Sequence, residues 1–156
     1  MRFVVAFSSP KRSARTVEAA ARHAKALGAE IVLVRVIPDP EKVGVIAQLI
    51  SSDRPADKAK SQIDEVVGKL TQQGVKASGE VRIGEVAVGI VKAAVDLKAD
   101  LLFVGTTDVN VQPFPLMKKD PIVHYLVNNS PISLFLVRHD PAEAPSEYES
   151  DTPETE

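Results

Sequence analysis

The stretch Val81–Thr107, VRIGEVAVGIVKAAVDLKADLLFVGTT, decides the fold. An apolar run closes at Ile83 and is broken by Gly84-Glu85. Val86, Ile90, Ala93, Ala94 and Leu97 then recur at helical spacing, and Leu101 to Val104 forms a second short apolar run that meets Gly105. A strand, a helix and a strand in that order make a crossover unit, whose two strands lie parallel in one sheet and are joined right-handedly.

The same alternation extends in both directions. Strands are expected at Phe3 to Phe7, Ile31 to Ile37, Val75 to Ile83, Leu101 to Val104 and Ile132 to Val137. The runs around Val32 and Leu102 are apolar on both faces, as strands covered by helices on each side must be. The run from Val75 is more polar and suits a place nearer an edge. Between the strands lie helical stripes: Val17, Ala20, Ala21, Ala24 and Leu27, stopped by Gly28; Ile63, Val66, Val67 and Leu70, followed by Gly74; and Ile122, Val123, Leu126 and Val127. Asp120-Pro121 is a good start for the last helix, because Asp can cap and Pro fits the first helical position. The expectation is a doubly wound α/β domain over residues 1–138 with a five-stranded parallel sheet and helices on both faces. Ligands of such sheets bind beyond the carboxyl ends of the strands, where the winding reverses. Here those ends are near Phe7 to Ser9, Val36 to Pro38 and Gly105 to Asp108.

Two segments stand outside the alternation. Val43, Ile46, Ala47, Leu49 and Ile50 form a further apolar stripe, a candidate cover for the sheet or for a partner. Residues 139–156 carry Asp140, Glu143, Glu147, Glu149, Asp151, Glu154 and Glu156 with no Lys or Arg, the composition of a disordered acidic tail.

Bulk composition removes several function classes. The 156 residues are 44% hydrophobic but only 4% aromatic, so the core is aliphatic. A formal net charge of -2 calls for neither nucleic acid nor anionic membrane. Cysteine is absent, which excludes disulfides, thiolate metal sites and thiol catalysis. No apolar run approaches the roughly 20 residues of a membrane helix, and the N-terminal run is too short for an export signal. Cytoplasmic residence is the expectation. His23, His124 and His139 lack the spacing of a zinc site. His23 reads as a half-exposed residue of the first helix. His124 stands four residues after Asp120, which allows a pair, although helix-surface polarity explains it as well. Ser8-Ser9-Pro10-Lys11-Arg12-Ser13 could hold an anion, but Ser13 acting as a helix cap is the simpler reading. The loop lacks both the P-loop and the dinucleotide glycine patterns. A phosphoacceptor receiver would need acids where Phe7-Ser8-Ser9 and Ile83-Gly84-Glu85 stand. A flavodoxin-like site would need an aromatic cover, and no Trp is available. No nucleophile, base and orienting acid assemble into an enzyme site.

Gly84-Glu85, Lys98-Ala99-Asp100, Val104-Gly105-Thr106 and the closing Ser130-Pro131 before a last strand ending at Val137-Arg138 together resemble the universal stress protein family, over about residues 2 to 138. The resemblance implies an adenine-nucleotide alpha-hydrolase-like fold with strand order 3-2-1-4-5. It also implies a nucleotide pocket built from an Asp after the first strand, a Val ending the second, a Gly-x-x-Gly loop after the fourth, and a Gly-Ser or Gly-Thr pair opening the last helix. Val36 and Gly105 match. The Asp is replaced by Ser8, the second Gly by Asp108, and the Gly-Ser pair by Asp120-Pro121. Carboxylates then stand where phosphates would, and like charges 4 Å apart repel by about 1 kcal/mol even in water. Pro121 also removes an N–H that a phosphate would use. The expectation is a regulatory or binding module, not an enzyme, with no cofactor and no tight ATP binding, acting through protein partners. The Asp108 to Asp120 loop and the Val43 to Ile50 stripe are candidate contact surfaces. The alternative is a sensor for ATP, AMP or another anion in an altered pocket of Ser8, Val36, Gly105, Thr106, Thr107 and Asp108. The last strand, Ile132 to Val137, is an apolar edge, which the family often pairs with its copy, so a homodimer is expected.

Overall fold

The computed structural model describes residues 1–39, 55–106 and 120–138. The candidate site residues Thr107 and Asp108, the Val43 to Ile50 stripe, the Pro-containing loop after Asp108 and the acidic tail lie outside the described residues. Among the described residues five strands and four helices alternate: β1 (Arg2–Ala6), α1 (Ala14–Leu27), β2 (Glu30–Ile37), α2 (Pro55–Gln72), β3 (Ala77–Ile83), α3 (Val86–Asp96), β4 (Leu101–Thr106), α4 (Pro121–Asn129) and β5 (Ser133–Arg138). All pairings are parallel, and the strand order is β3-β2-β1-β4-β5, as the resemblance implied. The more polar β3 is indeed an edge strand.

Side chains on a strand alternate between faces, so the sheet sorts its apolar residues into two layers. Phe3, Val5, Phe7, Ile31, Leu33 and Phe103 point to one face, where Val17, Ala20, Ala21 and Ala24 of α1 and Ile63, Val66 and Leu70 of α2 cover them. Val4, Val32, Val34, Val36, Leu102 and Val104 point to the other, beneath Ile90, Ala93 and Ala94 of α3 and Leu126 of α4. The winding therefore reverses between β1 and β4, whose following helices leave to opposite faces.

Local signals explain the helix ends. Gly28 closes α1 at φ 66°, a left-handed conformation that an L side chain rarely adopts, and its N–H donates to the Ala24 carbonyl. Gly89 permits a close approach: a Cβ there would lie 2.8 Å from Val36 Cγ1, so α3 rests almost directly on β2. His23 is half-exposed, as expected, and it also has a packing role. Its ring meets Phe135 edge-on at 4.7 Å, and Phe135 stacks on Phe103 at 4.7 Å.

Candidate functional site

The candidate site is the carboxyl edge of β1 and β4, where the winding reverses and from which the β1–α1 loop leaves, beside the end of β2. On β2 the Phe7 N–H donates to the Val34 carbonyl at 2.9 Å, so the polar groups of Val34 face β1. By strand alternation the N–H and C=O of Val36 point the same way, two positions beyond the last β1–β2 pairing at Ala6–Val34. The side chain of Val36 is buried against Gly89, so what Val36 offers a ligand is backbone.

The β1–α1 loop is closed upon itself. Ser8 N–H donates to Ser13 Oγ at 2.9 Å, and the Ser8 and Ser13 hydroxyls lie 3.2 Å apart. Arg12 N–H donates to Ser9 Oγ and Ser13 N–H to the Ser9 carbonyl. The expectation for Ser13 needs a correction. It stands at the N-cap position of α1, but its side chain makes no cap bond and instead fastens the end of β1. The physical reason is its φ of -97° and ψ of 5°, outside the extended conformation that aims a capping oxygen at the helix N–H groups.

Gly105 and Thr106 end β4, paired with Val137 and Arg138, and Thr106 is buried and engaged in its own contact. Asp120 caps α4 as expected. Its Oδ1 accepts from Ile122 N–H at 3.1 Å and Val123 N–H at 3.2 Å, while Pro121 occupies the first turn. The helix N-terminus, with its partial positive charge, is thus already satisfied by a carboxylate of the same chain. His124 does not join that carboxylate. Its Nε2 lies 3.3 Å from Asn128 Nδ2, and only its backbone N–H reaches the Asp120 carbonyl.

Two residues were not singled out from the sequence. Among the described residues Thr16 Oγ1 is buried and has no hydrogen-bond partner. Arg35, at the end of β2, is half-buried, and that burial, with the nearby charge of Arg12, lowers its pKa. Thr16 could not have been found without the α1 packing. Arg35 carries a signal: it is the one charged residue in the run Ile31 to Ile37. Among the described residues no group of His, Asp or Glu is arranged to hold a metal ion.

A five-stranded parallel sheet of order β3-β2-β1-β4-β5 with helices on both faces defines the class: a doubly wound α/β fold. The chain belongs to the universal stress protein family, whose family profile matches residues 1–138. Among solved structures it is similar to a universal stress protein from Archaeoglobus fulgidus in complex with dAMP, with 16% identity over 87% of this chain and 96% of that one and a TM-score of 0.63. It is likewise similar to a universal stress protein from Lactobacillus plantarum, with 17% identity, 88% and 97% coverage and a TM-score of 0.68. A family protein from Arabidopsis thaliana with AMP bound gives 15% identity, 94% and 97% coverage and a TM-score of 0.68. No curated protein sequence matches the chain. Among the described residues no helix is long and apolar enough to cross a membrane.

Proposed function

We propose that this chain is a regulatory member of its family that does not bind ATP tightly and acts through protein contacts, without catalysis. One observation carries the reading: Asp120 fills the anion-binding end of α4 with its own carboxylate. A phosphate arriving there would have to displace two N–H bonds and approach a like charge. The contacts are made as a homodimer through β5, one of the two edge strands of the sheet, where Leu136 is 43% exposed. The setting is cytoplasmic. The purified protein, once denatured, should release no nucleotide, and light scattering should give twice 16.8 kDa. A stoichiometric adenine nucleotide in the supernatant would overturn the first half of the reading, and a monomer mass at micromolar concentration the second.

A specific observation favours a second reading, a sensor of an adenine compound lacking a long phosphate chain. The Val36 backbone keeps an N–H and a C=O turned to the crevice, the pair a purine edge would use, and relatives of similar fold carry AMP or dAMP. Release of AMP, but not ATP, would select it.

A further inference from the structure

The outward face of α3 differs from those of α1 and α2. The exposed faces of α1 and α2 are charged, and they carry the ion pairs Glu18–Arg22, Lys60–Asp64 and Glu65–Lys69. α3 buries Ala87, Ile90, Ala93 and Ala94 and rests on Val36 through Gly89. On its opposite side stand Val88 and Val95, 38% and 45% exposed. They lie two turns apart in one line, with half-buried Val91 between them. Valine is stiff at χ1 and supports a helix poorly, so valines facing water give α3 neither helix propensity nor solubility. A helix apolar on both sides is normally a covered one.

Charge selects the cover. Glu85 precedes α3 and Lys98 follows it; both are exposed, and neither joins an ion pair among the described residues. An acid at one end and a base at the other make the stripe complementary to itself turned end for end. In an antiparallel pair of α3 helices related by a two-fold axis, Val88 of one chain faces Val95 of the other, and Glu85 faces Lys98 at both ends. One alignment achieves both, because the two pairs of positions are centred on the same point, between Val91 and Lys92. Antiparallel alignment also suits the helix dipoles. Lys92 is exposed on the flank, where its stem can run along the valines and leave its charge in water.

We propose that α3 is a self-association surface whose partner is the α3 of a second copy of this chain, in antiparallel contact. It does not use β5, which lies three strands away from the β2 that supports α3, so it stands or falls separately from the β5 dimer. A lone helix pair belongs to the small interfaces, below about 1,200 Å², so the contact is transient and depends on concentration.

The chain has no cysteine, so introduced cysteines report the contact without background. Full-length Val88→Cys and Val95→Cys, mixed at submillimolar concentration under mild oxidation, should form a disulfide-linked pair about tenfold faster than either variant alone. In this alignment each position lies about 10 Å along the helix from its own copy, beyond the reach of a disulfide. The product is read on denatured protein, where a β5 dimer falls apart and adds no band. Glu85→Lys in both chains should slow the crosslink, and adding Lys98→Glu to both should restore it. Equal rates in the mixture and in the single variants would overturn the proposal, as would a charge reversal that has no effect or that Lys98→Glu does not rescue. If Glu85→Lys fails to fold, the cysteine pair in the otherwise unchanged chain decides the matter.

Discussion

The two ends of the sheet are built on different rules. At the amino end Arg2, Glu30, Lys76 and Asp100 answer one another. The Arg2 backbone N–H donates to Asp100 Oδ2 at 2.7 Å, its side chain grips Glu30 and the Leu97 carbonyl, and Lys76 adds a second cation to Glu30 at 3.2 Å. These groups line an open cavity of about 350 Å³, and their bonds to one another tie β1 to both β2 and β4. At the carboxyl end the polar groups are left partly unanswered. All three buried polar side chains of the described residues, Ser13, Thr16 and Thr106, gather there, and Thr16 has no partner. Arg35 has lost water without gaining a carboxylate. One end is fastened by its own ion pairs, and the other carries a buried hydroxyl and a half-buried arginine without such pairs.

The sharpest way to break the contrast is to remove an arginine from each end. Arg2→Ala should lower the melting temperature by about 4–6 °C, since it severs a charged bond to Glu30 and another to a carbonyl. Arg35→Leu should do the reverse. Equal losses at both ends would show that the two edges obey one rule.

Asp120→Ala should cost about 1 kcal/mol, or about 2–4 °C, through the lost cap. Thr16→Val should gain a similar amount, because an isosteric methyl replaces a hydroxyl that is desolvated without compensation. Thermal denaturation of the purified variants reads both, and a Thr16→Val variant that melts lower than wild type would reveal a hidden partner.

The smallest effect is in acid. The Glu30 carboxyl is held below its ordinary value of 4.5, first by its hydrogen bond from Arg2 and then by that from Lys76. Its folded pKa is lowered, so the stabilisation is fully present above 4.5 and is lost as pH falls through the lowered value. The wild type should therefore melt above Glu30→Gln at pH 7, and the two curves should converge as pH falls below 4.5. Curves that stay parallel across that range would remove Glu30 from the account.

The fold was legible because its signals are local and repeated. The strand runs, the stripe of α3 and the Asp120-Pro121 start all follow from spacing and cap chemistry, and each lies within a few residues of where the chain places it. The last strand was expected at Ile132 to Val137 and runs from Ser133 to Arg138. Strand order was different: spacing cannot rank strands, and it came from family resemblance. The site was legible only where one residue acts on its near neighbours, as Asp120 acts on Ile122 and Val123. Ser13 shows the limit. Its residue type fits a cap, but its bond goes five residues back to Ser8, which depends on how the loop closes. Thr16 and Arg35 take their character from what surrounds them in space, so sequence spacing alone does not mark them as unpaired.

The central claim is that the end of α4 refuses a triphosphate because Asp120 already holds it. Calorimetric titration of the wild type with ATP, beside Asp120→Gly combined with Pro121→Ser, tests it directly. No heat of binding for the wild type below millimolar ATP, with at least tenfold tighter binding by the double variant, is the predicted result. Micromolar ATP affinity in the wild type would contradict it.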